Sequence, residues 1–194
     1  VIRLAGSCGR GANPNAVDYR EEWRAAMTST ELLADAFERV RDAVDPAVNG
    51  LSPEELAFRP DPESNSIAWL VWHLTRIQDD HIAGLDGGEQ VWKAGGWAER
   101  FALPLEVTDT GYGHGPDDVA AVTADAAHLL GYFEDVHQRT LRFVGSLTEA
   151  DLDRVVDRGW DPPVTVSIRL VSVIADDLQH VGQAAYVRGI LQRR

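Results

Sequence analysis

Apolar residues recur at helical spacing in four long stretches of this chain, with loops rich in Gly, Pro and Asp between them. The first stretch, from Thr30 to Val44, sets Leu33, Phe37, Val40 and Val44 on one side and predicts an amphipathic helix. Thr28 and Glu31 stand at capping-box spacing just ahead of it. The second, from Ser66 to Leu85, opens on the run Ile67-Ala68-Trp69-Leu70-Val71-Trp72-His73-Leu74 and ends at Gly87-Gly88. The third begins at Gly115-Pro116-Asp117-Asp118, with Pro in the first turn and acids at the positive end of the helix dipole. Its seam continues through Val119, Val122, Ala126, Leu129, Phe133, Val136, Thr140, Phe143 and Leu147. That run predicts a single helix of about 30 residues, a length suited to bundle packing. The fourth is the apolar run from Val164 to Leu191.

No strand-like alternation of any length appears, so the expected fold class is all-α: a four-helix bundle with a long crossover between the second and third helices. The crossover, residues 87–115, holds Trp92, Trp97, Tyr112 and His114 among several glycines. Packing against the bundle end is the commoner role for such a segment, and a lid over a site is the alternative. A weak internal repeat supports the layout. Leu51-Ser52-Pro53-Glu54-Glu55-Leu56 follows the first helix, and Leu147-Thr148-Glu149-Ala150-Asp151-Leu152 follows the third. Each reads as a short capped turn leading through a Pro- and Asp-containing loop into the next long helix.

Residues 1–26 show no periodic apolar face and are expected to form a loosely ordered extension to a domain spanning 27–194. Cys8, the one cysteine, falls in that segment, so an intrachain disulfide is impossible and the pattern suits a reducing cytoplasm. A net charge of −13 and the lack of a basic stripe exclude nucleic acid as the expected partner. No charge-free apolar run reaches the length of a membrane span, so no membrane crossing is expected. Glycine-rich phosphate loops, nucleophile elbows and Cys-x-x-Cys pairs are all missing from the sequence, which removes nucleotide, serine-hydrolase and dithiol chemistry.

The chemistry that remains is carried by histidine and aspartate. His180 follows Asp176 by four residues and Asp177 by three, so either carboxylate lies within a turn of the imidazole on a helix. Such a pair can grip one divalent ion, and His73, in the second apolar helix, is the candidate third ligand. A His on an apolar helix face is more often a core residue bonded to backbone or carboxylate. Here two such histidines coincide with acids that are costly to bury alone, and one ion would satisfy them together. On a helical projection Asp177 lies nearer the middle of the apolar face than Asp176, and spacing alone leaves the choice between them open. Asp80, two turns beyond His73, is a candidate to orient a ligand or to pair with Arg76. Gln183 is a candidate pocket residue, and packing is the expected role of Tyr186. His81 and His114 carry less signal, and His128 and His137 are expected on a solvated face.

Two motifs, Ser64-Asn65-Ser66-Ile67-Ala68-Trp69-Leu70-Val71-Trp72-His73-Leu74 and Asp176-Asp177-Leu178-Gln179-His180-Val181-Gly182-Gln183, make the chain resemble the DinB-like superfamily of four-helix-bundle metalloproteins. The resemblance runs from about Met27 to Leu191. It implies a metal triad of His73, Asp176 and His180, with Asp176 standing where most members have His. A carboxylate there is similar to mycothiol-dependent maleylpyruvate isomerase, which uses Glu. The resemblance further implies a divalent metal (zinc, nickel or iron) and a small-molecule thiol of the mycothiol type as co-substrate. A small electrophile would be the second substrate of a transferase or isomerase reaction, and homodimerisation is compatible with the family. The rival expectation is a bundle in which the same triad binds metal, or stabilises the core, without catalysis.

Overall fold

A computed structural model describes residues 27–194; the expected extension at 1–26, with Cys8, lies outside the described residues. The elements are α1 (Ser29–Val48), α2 (Pro53–Leu56), α3 (Ile67–Asp86), α4 (Val91–Ala94), α5 (Trp97–Phe101), α6 (Pro116–Ala121), α7 (Ala126–Ser146), α8 (Glu149–Leu152), β1 (Val155–Asp157), β2 (Val164–Thr165) and α9 (Val166–Leu191). The long helices α1, α3, α7 and α9 form the bundle. Each of α1 and α3 packs against both α7 and α9, which places α1 diagonally opposite α3.

Local chemistry sets the helix ends. Thr28 and Glu31 form the expected capping box at α1. The two repeated turns are α2, boxed by Ser52 and Glu55, and α8, boxed by Thr148 and Asp151. Ser66 caps α3 by accepting from the Trp69 N–H, and Gly87 closes it with φ at 75°, a left-handed turn that glycine adopts without strain.

Two expectations are corrected. The long third run is two helices, not one: Val122 turns extended after α6, and the Asp125 side chain accepts from the His128 N–H to start α7. A side-chain oxygen offered to free helical N–H groups competes with helix continuation at that point. The apolar seam nevertheless holds, because Val119, Val122, Leu129, Phe133 and Val136 are all buried. The other correction concerns His137, expected on a solvated face, which is fully buried and stacked on Phe133 at 5.8 Å. A small addition to the all-α plan is the antiparallel pairing of β1 with β2, at the entrance to α9.

The crossover packs tightly. Trp92 and Trp97 are buried, and the Asp79 carboxylate accepts from the N–H groups of Val91 and Trp92 at 2.8 and 2.7 Å and from the Tyr132 hydroxyl at 2.9 Å. Arg76, also fully buried, donates to the Asp109 carbonyl and to Gln90 Oε1, with Asp79 3.7 Å away. Its acidic neighbour is therefore Asp79. Asp80, for which pairing with Arg76 was one of the alternatives, instead accepts from Gln90 Nε2 at 2.7 Å.

Candidate metal centre

His73 lies on α3, one turn beyond Trp69, with its ring stacked on that indole at a centroid distance of 4.6 Å and 11° between planes. Its Nδ1 is in hydrogen-bond contact with the Thr110 carbonyl. A carbonyl only accepts, so Nδ1 carries the proton and Nε2 keeps its lone pair for a ligand role. Gly111 makes this contact possible. It has φ at 94°, and a Cβ there would fall 2.5 Å from His73 Nδ1 and 3.1 Å from Trp69 Cζ2. The end of the crossover thus closes directly over the imidazole.

Facing His73 across the α3–α9 interface are Asp176 and His180. The two imidazoles meet edge to face, 4.7 Å between centroids and 79° between planes. His180 Nε2 is 3.5 Å from Asp176 Oδ1, while its Nδ1 lies 3.1 Å from Gln183 Oε1, which fixes the same tautomer as in His73. One potential ligand atom from each of His73, Asp176 and His180 lies within 4.8 Å of the others. Small side-chain rotations reduce that spread to the roughly 3–4 Å between neighbouring ligands of one ion. Asp176 Oδ2 is buried with no hydrogen-bond partner among the described residues, a position a cation would satisfy. The residues present therefore fit a divalent ion.

The charge balance within the set is ordered. Burial lowers the His73 pKa, which keeps the ring neutral and free to bind. Burial works to raise the Asp176 carboxyl, but the hydrogen bond and charge of His180, with His73 and His81 nearby, hold it below the usual carboxylate range. The Asp176 carboxylate, as acceptor for the protonated ring of His180, raises the His180 pKa.

Asp177 points elsewhere. It is fully buried, both its oxygens lack hydrogen-bond partners among the described residues, and burial followed by the neighbouring Asp176 charge pushes its pKa well up. The choice left open by spacing is thus decided by direction: Asp176 joins the histidines and Asp177 enters the bundle interior.

Trp69, read only as part of an apolar run, and His114, given little weight in the sequence, both stand near the site. Trp69 donates from Nε1 to His114 Nδ1 at 3.1 Å, and His114 stacks on Trp72 at 5.9 Å. A hint was available in the glycines that flank Tyr112 and lead to His114. Along the α3–α9 groove a cavity of about 250 Å³ lined by Asp80, His81 and Arg169 lies on one side of the triad. A second, of about 490 Å³, lies on the other, where Ser64, Asn65 and Leu70 face Gln183 and Tyr186. Gln183 lines the pocket as expected. Tyr186, expected to pack, is 68% exposed. His128 is half-buried against Asp125 and Phe101, away from the triad.

The family model of the DinB superfamily matches residues 36–184, which takes in the whole of α3 and α7, most of α1 and α9, and the whole triad. The chain belongs to the DinB superfamily. A crystal structure of a conserved protein from Enterococcus faecalis is similar throughout this DinB fold, with a TM-score of 0.81 and 32% identity over 87% of this chain and 100% of that one. No protein of curated function matches the chain. Among the described residues, no helix is long and apolar enough to cross a membrane.

Proposed function

We propose that this DinB-superfamily chain is a divalent-metal protein, with His73, Asp176 and His180 as ligands, that activates a low-molecular-weight thiol for transfer to, or isomerisation of, a small electrophile. The observation that carries the reading is the convergence of the triad with both Nδ1 atoms already tied, to Thr110 and to Gln183, so that both Nε2 atoms are left for one ion. Zinc, nickel or iron bound there supplies a Lewis acid that lowers the pKa of a thiol or water brought to it.

The protein's own groups hold and shield the reactants. Three protein ligands leave coordination positions open, the pattern of a catalytic rather than a closed structural site. The Trp69 ring and the Thr110-Gly111 backbone exclude water from one side of His73. The cavities on either side of the triad, lined by neighbours of the three ligands and not by the ligands themselves, support binding of small molecules close to it. A thiol of the mycothiol type fits a chain whose one cysteine, Cys8, precedes the first bundle helix in sequence.

The test begins with metal analysis of protein purified without chelator or affinity tag. About one equivalent of zinc, nickel or iron, absent from His180→Ala, is the expected result. Thiol consumption is then followed with a panel of small electrophiles, using His73→Ala as control. Wild-type protein that stays metal-free after reconstitution would sink the reading. One equivalent of metal with no thiol turnover across the panel would leave a metal-binding bundle and remove the transferase.

A further inference from the structure

We infer that Arg169 and His81 form a carboxylate-binding subsite beside the metal centre and, resting this step on the thiol chemistry proposed above, that the small electrophile is an organic acid held there. Arg169 on α9 and His81 on α3 line the cavity of about 250 Å³ together with Asp80, Gly84, Leu85 and Val156. Arg169 precedes Asp176 by seven residues. Two helical turns separate them, so both project from one stripe of α9, about 10 Å apart along its axis. An acid bound at Arg169 and extending along the groove would therefore carry its reacting carbon several bonds from the carboxylate.

The Arg169 guanidinium is available for a ligand. It is half-buried, and its one hydrogen bond among the described residues runs from Nη2 to Asp157 Oδ2 at 3.3 Å. Arg39, Arg41 and Arg139 hold their carboxylates closer, at 2.7, 3.0 and 2.7 Å. Arg169 thus keeps N–H groups for a planar two-oxygen acceptor, the form in which a guanidinium pairs best with a carboxylate. His81 adds a donor without adding charge: burial, then the nearby Arg169 charge, lower its pKa and keep the ring neutral. On a chain of net charge −13, an anionic substrate needs such a local cation. Asp80 Oδ1 already accepts from Gln90 Nε2, and Asp80 Oδ2 stands 3.9 Å from His81 Nδ1. That acidic wall would repel a phosphate dianion, which leaves a single carboxylate as the guest.

Gly84 supplies an independent indication. It lies inside α3 and lines the cavity, and glycine within a helix is destabilising relative to alanine. A Cβ at position 84 would nevertheless meet nothing within 4 Å. Packing within the chain does not require the missing side chain, whereas space for a bound molecule does. Leu85 and Val156 supply apolar wall for a short hydrocarbon stem between the carboxylate and the triad.

Isothermal titration calorimetry of the full chain after zinc reconstitution, with hexanoate and its neutral isostere hexanamide, tests the subsite. Hexanoate is expected to saturate one site, with hexanamide weaker by at least about 10-fold. Arg169→Gln should weaken hexanoate by about 10- to 100-fold and leave helical circular dichroism and metal content unchanged. Gly84→Leu, which fills the cavity and favours the helix, should weaken it likewise. His180→Ala, expected to lack the metal, should still bind hexanoate, because Arg169 and not the ion holds the carboxylate. Equal binding of the amide, or undiminished hexanoate binding in Arg169→Gln, would overturn the subsite. Loss of hexanoate binding in His180→Ala would overturn it too, by assigning the carboxylate to the metal. A wild type that takes up no zinc yet binds hexanoate through Arg169 would remove the metal chemistry and uphold the subsite.

Discussion

The His73 ring donates a hydrogen bond from Nδ1 to the backbone carbonyl of Thr110, 37 residues further along the chain. One hydrogen bond thus selects the tautomer that presents Nε2 to Asp176 and His180, and it ties the geometry of the candidate centre to the end of the crossover. Groups that orient a metal ligand in this way commonly account for 10- to 100-fold in affinity.

Gly111→Ala is expected to damage the centre without unfolding the bundle. The added Cβ would sit 2.5 Å from His73 Nδ1, in a backbone conformation that L residues rarely adopt. Metal affinity should fall by about 10-fold or more while helical circular dichroism is retained, as measured by competition titration with a chromogenic chelator. Unchanged affinity would show that the Thr110 contact does not position His73.

Asp176→Asn and Asp177→Asn should separate cleanly. The first removes the ligand charge and is expected to abolish stoichiometric metal. The second replaces a buried carboxyl that has no hydrogen-bond partner among the described residues, and it should leave metal content at the wild-type level. Elemental analysis of both variants, prepared in parallel, reads the difference. The reverse pattern would transfer the ligand role to Asp177.

His137 should make the metal-free protein acid-sensitive. Its ring is fully buried, and burial lowers its pKa despite Glu38 at 3.4 Å. The unfolded chain, with an ordinary His pKa of about 6.5, then binds the proton more readily than the folded one. The stability contributed by the neutral ring is present above that value and is lost as the pH falls through the lower folded value. Melting temperature between pH 7 and pH 5, in chelator, should fall further for the wild type than for His137→Leu. Parallel curves would assign the acid sensitivity elsewhere, with His73 the next group whose pKa burial lowers.

Asp79→Leu should be among the most destabilising single changes in the molecule. It strips the acceptor shared by Val91, Trp92 and Tyr132 and leaves Arg76 charged and fully buried without its carboxylate. Breaking a buried pair of this kind typically costs about 3–5 kcal/mol. Tyr132→Phe, which removes one hydroxyl, should cost about 1 kcal/mol. Urea unfolding gives both, and a loss below that of Tyr132→Phe for Asp79→Leu would mean the network does not anchor the crossover.

The sequence by itself determined the apolar helical runs and narrowed the candidate ligands to His73, His180 and one of the adjacent Asp176 and Asp177. Apolar spacing of three and four residues marks a buried face wherever it occurs, and boxes such as Thr28 with Glu31 fix helix starts through contacts only three residues apart. Asp176 and His180 were legible for the same reason, since one helical turn alone brings them together. Tertiary structure decided what depends on direction and on distant segments. Asp176 and Asp177 are adjacent in sequence, yet 100° of helical rotation sends one to the histidines and the other into the core. His137 looked solvated until α1 and Phe133 covered it. The break at Val122 lies within an unbroken apolar pattern, because the seam records which residues are buried and not whether the backbone between them stays helical. Thr110 and Gly111 carried no ligand signature: their part in the site comes from backbone atoms, which every sequence has, brought to His73 by the packing of the crossover.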